Sequence, residues 1–225
     1  MEILPDFLKR NPVFAVLSPS NLEQMARVAS LRSYINGEKI ILYGEVWSYL
    51  FMVKNGEIEA TKESFEGRVL RVASFTEGEL FWGLAFFHEG AAMPVTLGAR
   101  KDSSIYLWAR QDILPLLFRD GKASWELSRL MAERMQRASE ILEGLAFQPV
   151  AGRLAQLLLE KFGTSGDSAI SRHLTLDEMA AQIGSTREVV CRVLYDFSDK
   201  KLIEVTRTEF VLTDRNGLAR LMERG

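Results

Sequence analysis

The chain has 225 residues, 28 Lys and Arg against 30 Asp and Glu, and 47% hydrophobic side chains, a composition with room for two packed domains. Its one cysteine excludes an intrachain disulfide, a four-cysteine zinc site and a cysteine-held iron–sulfur cluster within one chain. No apolar run approaches the roughly 18 residues of a membrane span, and MEILPDFLKR has neither the basic start nor the cleavage site of a signal peptide, so a soluble, cytoplasmic protein without a membrane partner is expected.

Residues 1–30 read as short helices. Ser18-Pro19 opens NLEQMARVAS, where Leu22, Met25, Ala26 and Ala29 recur at helical spacing. From 31 to 110 the period changes, and glycines at 37, 44, 56, 67 and 78 punctuate short apolar or alternating runs, the spacing of a β-barrel or sandwich. YLFMVKNGEIEATK reads as the clearest hairpin, with Asn55-Gly56 supplying the positive φ angles of a primed turn. VTLGARKDSSIYLWA gives two more strands around a polar turn.

After Asp112 the chain turns helical. Leu127, Met131, Met135, Ala138, Leu142 and Leu145 step by 4, 4, 3, 4 and 3, close to a heptad seam. A second copy of the chain is the expected partner for that seam; the alternative is a helix lying on its own β domain. Gly144 and Pro149 mark a hinge before AGRLAQLLLEKF, and GTSGDSAIS is a polar loop.

The C-terminal third carries the sharpest pattern. Thr175 with Glu178 is a capping-box pair, Gly184 sits where that helix stops, and Ser185 with Glu188 repeats the pair for the next helix. Two helices joined so tightly make a helix-turn-helix, and KLIEVTRTEFVLTD adds a β-hairpin wing. Within STREVVCRVL, Val190, Val193 and Leu194 line up with Phe197 as a core stripe, while Glu188, Cys191, Arg192 and Tyr195 share the other face. In such a motif the second helix enters the major groove of DNA. Arg192 matches the guanine O6 and N7 acceptors, and Glu188 can accept from a cytosine amino group. Arg187 is placed for a base or a phosphate; Ser185, Thr186, Lys200, Lys201 and Arg207 are phosphate candidates. Residues 148–225 hold 11 basic and 11 acidic side chains, so cations must act locally rather than through a net field.

Taken together, these features resemble the bacterial CRP/FNR transcription-regulator family. The likeness rests on INGEKIILYGE, VKNGEIEATK, TEGEL, the RLAQLLL segment and above all TREVVCRVL, whose Arg-Glu-x-x-x-Arg arrangement looks like the family recognition helix. It implies an α+β chain in three parts: a cyclic-nucleotide-binding-like β-roll over 1–110, a dimerisation helix region over 111–147, and a winged helix-turn-helix over 148–225. It also implies a homodimer on a palindromic double-stranded operator, with RNA polymerase as a further partner. Cys191 stands where FNR-like members usually have serine, either touching a thymine methyl or acting as a redox-sensitive thiol.

The sensor segment departs from the family pattern. Cyclic-nucleotide-binding members carry a Gly-Glu pair for the ribose and an Arg-Ser pair for the phosphate. Aligned without gaps, GELFWGLAFFHEGAAMPVTLGA places Trp82 and Gly83 on the first pair and Ala92 and Met93 on the second. Losing a charge-assisted contact to a buried anion costs about 3–5 kcal/mol, so tight cyclic AMP binding is not expected. Three readings of the aromatic stretch stay open: a pocket for an apolar or planar effector lined by Trp82, Phe86, His88 and Met93, with haem on His88 as one version; a cavity filled by side chains; or ordinary core packing with His88 in an exposed loop. No enzyme is expected, because His88 and His173 sit in unrelated contexts and GELFWG is no dinucleotide motif. The alternative function is a ligand or haem sensor whose helix-turn-helix contacts protein.

Overall fold

The computed structural model describes residues 3–162, 170–171, 174–205 and 209–222. Three short helices, α1 (Leu4–Leu8), α2 (Pro12–Ala15) and α3 (Pro19–Val28), lead into β1 (Ser30–Tyr34), β2 (Lys39–Ile41), β3 (Tyr49–Asn55), β4 (Ile58–Glu63), β5 (Val69–Phe75), β6 (Leu80–Trp82), β7 (Thr96–Ala99) and β8 (Ser103–Ala109). Then come α4 (Arg110–Arg119), α5 (Gly121–Phe147), α6 (Val150–Phe162), β9 (Ile170–Ser171), α7 (Leu176–Ile183), α8 (Arg187–Asp199), β10 (Ile203–Val205), β11 (Glu209–Leu212) and α9 (Arg215–Met222). The chain forms two compact units. Met1–Lys62 with Val72–Gln136 makes the first, and Glu63–Arg71 with Arg137–Gly225 the second.

Two four-stranded sheets in the orders β1-β8-β3-β6 and β2-β7-β4-β5 make the β-roll, all of it in the first unit except Glu63 of β4 and the first three residues of β5. Strand β3 explains why YLFMV is an unbroken apolar run: its side chains alternate between two cores. Phe51 and Val53 point into the core shared with Ile58, Phe75, Leu97 and Ile105. Leu50 and Met52 join Leu8, Phe14, Met25, Trp108 and Ile113 of the helical layer. Trp108 completes its packing by donating Nε1–H to the Met25 carbonyl at 2.9 Å.

The Asn55-Gly56 turn differs from the hairpin expected. Strands β3 and β4 belong to different sheets, and among the described residues Lys201 is the only non-glycine residue with positive φ, which rules out a primed turn at Asn55. The turn carries the chain from one sheet to the other. Gly56 is required there by its φ of +90° and by the 102–103 turn, since a Cβ would lie 2.2 Å from Ser103 Oγ. The hinge also shifts: α5 runs through Gly144 to Phe147, so the break falls at Gln148 and Pro149.

The second unit has one core, in which Leu154, Leu158, Met179, Ala180, Ile183, Val190, Leu194, Phe197, Ile203 and Leu218 meet. A small sheet, β10-β11-β9, flanks it. Among the described residues, no helix is long and apolar enough to cross a membrane.

Candidate nucleic-acid interface

Helix α7 starts on a complete capping box: the Thr175 hydroxyl accepts from the Glu178 N–H, and the Glu178 carboxylate accepts from the Thr175 N–H at 2.7 Å. It ends at Gly184, whose φ of +62° is left-handed and whose N–H bonds the Ala180 carbonyl. Side-chain room is also short there, because a Cβ on Gly184 would come 2.7 Å from Leu145 Cδ2. Helix α8 follows after two residues. Its N-cap is Thr186, whose hydroxyl accepts from the Val189 N–H, rather than Ser185 as the sequence pattern predicts. The competing threonine one position on meets the same requirement for an oxygen three residues before a free N–H.

The two faces of α8 are as the spacing predicts. Val190, Leu194 and Phe197 are buried, with Val193 packed against them, while Glu188, Arg192 and Tyr195 are exposed and Cys191 is half-buried. Glu188 accepts from its own backbone N–H and from Thr186, and these bonds hold its carboxyl below the usual range. It is therefore ionised at neutral pH and able to accept a hydrogen bond from a base. Arg187 donates to Asp177 on α7 at 3.2 Å, with both side chains exposed. Lys200 pairs with Asp196 at 2.7 Å. Ser185 and Thr186 sit half-buried at the turn. Arg207 and His173 lie outside the described residues.

Arg153 is a site feature that motif reading missed. Its Nε donates to the Ile183 carbonyl at 2.8 Å and its Nη1 to Gln148 and Gly144 at 2.6 and 3.3 Å. Partial burial lowers its pKa, yet the cation still meets the carbonyl ends of α5 and α7, where helix dipoles favour positive charge. It ties the helix-turn-helix to the end of the long helix. An Arg in an apolar run gives no such signal by itself.

Lys201 has a φ of 56°, a left-handed conformation that costs an ordinary side chain about 1 kcal/mol. Lys201→Gly should therefore raise the urea midpoint slightly. If Lys201 contacts phosphate, the same variant should also lower the salt slope of DNA binding by about one.

The long helix corrects part of the expected seam. Leu127 is only 4% exposed and packs in the first unit's own core with Ala123, and Leu130 packs against that core. Met131 and Leu145 are half-buried, the latter beside Gly184, whereas Ala138 is exposed. Met135 and Leu142 are 73% and 66% exposed. The open line is Trp125, Ser128, Ala132, Met135, Ser139, Leu142 and Ala146, all exposed, with alternating steps of 3 and 4.

The sensor residues do not gather around one site. Phe86 is buried in the helical-layer core with Trp82 beside it, Met93 is buried between the sheets, and His88 is exposed. A haem needs its axial histidine facing a cavity, and this arrangement does not fit one; it matches core packing with His88 on a loop. Among the described residues no cluster of three His, Cys, Asp or Glu is placed to hold a metal ion. Gly83 is packed against backbone, so that a Cβ there would lie 1.8 Å from the Trp47 carbonyl oxygen.

Comparison with known proteins gives the same two parts. The family model for the cyclic nucleotide-binding domain matches residues 31–120, and the one for the Crp-like helix-turn-helix domain matches residues 152–221. The chain is 26% identical over 200 residues to the "Cyclic AMP receptor protein" of Thermus thermophilus, covering 88% of this chain and 90% of that one. It is 25% identical to the "CRP-like cAMP-activated global transcriptional regulator" of Mycobacterium tuberculosis, over 96% and 99%. A solved chain from Eubacterium rectale, assigned to the crp/fnr family of transcriptional regulators, superposes with a TM-score of 0.78 at 20% identity, over 96% and 99%. With both domain matches in this order around the long helix, the chain belongs to the CRP/FNR family and is a transcription regulator with a helix-turn-helix DNA-binding domain.

Proposed function

We propose that this regulator is a homodimer that reads an inverted-repeat operator through Glu188 and Arg192 and does so without cyclic AMP. The functional division is a β-roll sensor over 1–110, a dimerisation region over 111–147 and a winged helix-turn-helix over 148–225. The observation that carries the DNA reading is the exposed pair Glu188 and Arg192, one helical turn apart on α8, with the helix start held by Gly184 and Thr186. A side chain one turn along the same face reaches the same or the adjacent base pair. Arg187 and the Ser185–Thr186 turn serve phosphate, as do Lys200 and Lys201 once Lys200 exchanges Asp196 for DNA. RNA polymerase is the partner of the DNA-bound dimer.

Independence from cyclic AMP rests on Gly83, Ala92 and Met93. The relatives named for cyclic AMP do not transfer that ligand, because no cation stands at the phosphate positions and Met93 is buried. The open line on α5 from Trp125 to Ala146 is the surface assigned to the second copy. Selection from a random DNA pool with the ligand-free protein tests the whole reading: a palindrome with a G·C-containing core supports it, and no enrichment from a folded dimer overturns it. Arg192→Ala should weaken operator binding by about 1–3 kcal/mol and relax preference at one position in each half-site. Unchanged discrimination in that variant would remove Arg192 from the reading role.

A further inference from the structure

Arg134 turns inward from α5, on the line that continues Ala123, Leu127 and Leu130 against the β-roll. Its guanidinium carbon lies 4.6 Å from the ring centroid of buried Phe75 and 5.8 Å from that of Trp82. Nη2 donates to the Leu80 carbonyl at 2.8 Å. The rings below form a continuous tier: Phe75 and Phe81 are 4.6 Å apart, and Phe81 stacks on Trp82 with 15° between their planes. The long helix thus reaches the sheet through a planar cation that both stacks and donates, a combination an ammonium cannot supply.

From this we infer that Arg134 is an internal ligand of the sensor domain. Its guanidinium supplies, from within the chain, the charged hydrogen-bonding group that fastens the long helix to β5 and β6, so the domain is held in its DNA-competent arrangement with no small molecule bound. The inference rests on the proposal that cyclic AMP is not the effector, and it adds what stands in its place. Removal of the guanidinium uncouples the helix from the sheet and leaves a site shaped for a planar cation.

The test uses the full-length protein carrying Arg134→Ala, with Arg134→Met as a second variant that keeps most of the stem and its packing, and Arg134→Lys. Operator affinity should fall at least about fivefold in the Ala and Met variants while each stays dimeric and folded. Millimolar methylguanidinium should restore much of it in Arg134→Ala, and methylammonium at the same ionic strength should not. Arg134→Lys should recover only part. Wild-type affinity in both truncations, or a loss that methylguanidinium leaves untouched, would overturn the inference. Calorimetric titration of the wild-type protein with cyclic AMP separates the two proposals: heat of binding there defeats the cyclic-AMP-independent reading, whereas silence there with no effect of the variants defeats the internal ligand alone.

Discussion

Gly83→Glu should unfold the sensor unit rather than create a cyclic-nucleotide site. The substitution supplies the glutamate that the ungapped placement on the family cassette expects at this position, but it meets a backbone obstacle first. A Cβ on Gly83 would stand 1.8 Å from the Trp47 carbonyl oxygen and 2.6 Å from its carbon, and backbone atoms cannot rotate aside as a side-chain tip can. The backbone here is also tied, with the Gly83 N–H donating to the Tyr49 carbonyl at 2.9 Å. Overpacking of this kind costs about 3 kcal/mol or more. Urea denaturation should show that loss for Gly83→Ala already, and calorimetry should show no cyclic AMP binding by whatever folded fraction of Gly83→Glu survives. A stable Gly83→Glu that binds cyclic AMP would mean that one residue separates this chain from its nucleotide-binding relatives, and the cyclic-AMP-independent reading would fail.

Charging the open line of α5 should have an effect of similar size on assembly. Met135→Glu with Leu142→Glu would place four carboxylates in the proposed dimer interface, where neither burial nor like-charge contact is compensated. Sedimentation should find the parent as a dimer and the double variant as a monomer at the same concentration. Operator binding should fall toward the non-specific level, with a Kd on the order of 10⁻⁴–10⁻⁶ M at physiological salt, because a lone helix-turn-helix reads one half-site. Leu127→Glu should behave differently, unfolding the first unit, since that side chain lies in its own core. A dimer that survives the double substitution would put the interface elsewhere.

The contrast between these two positions shows what periodicity carries and what it does not. On α8 the apolar stripe had one neighbour to face, the core of its own unit, and Val190, Leu194 and Phe197 went there, leaving Glu188 and Arg192 outside as the spacing predicts. On α5 two lines run along one helix, about 140° apart, and a one-dimensional pattern does not say which faces the chain's own sheet. The heptad through Leu127 mixed the two. The turn at Asn55-Gly56 failed for a related reason: the dipeptide reports a chain reversal, while sheet membership depends on which distant strand each arm pairs with, β8 for β3 and β7 for β4. The close packing of Gly83 and the role of Arg153 were silent because both depend on carbonyl groups, which every residue has.

Strand β3 has a further consequence, for the way the first unit comes apart. Its odd and even side chains belong to different cores, and β8 repeats the arrangement with Ile105 and Leu107 on one side and Trp108 on the other. Neither core can loosen without withdrawing the strands that line the other. The helical layer and the space between the sheets are therefore expected to open together, and the amides of β3 should be among the slowest of the first unit to exchange with solvent. A regulator built this way transmits strain from one side of its central sheet to the other through the strand itself.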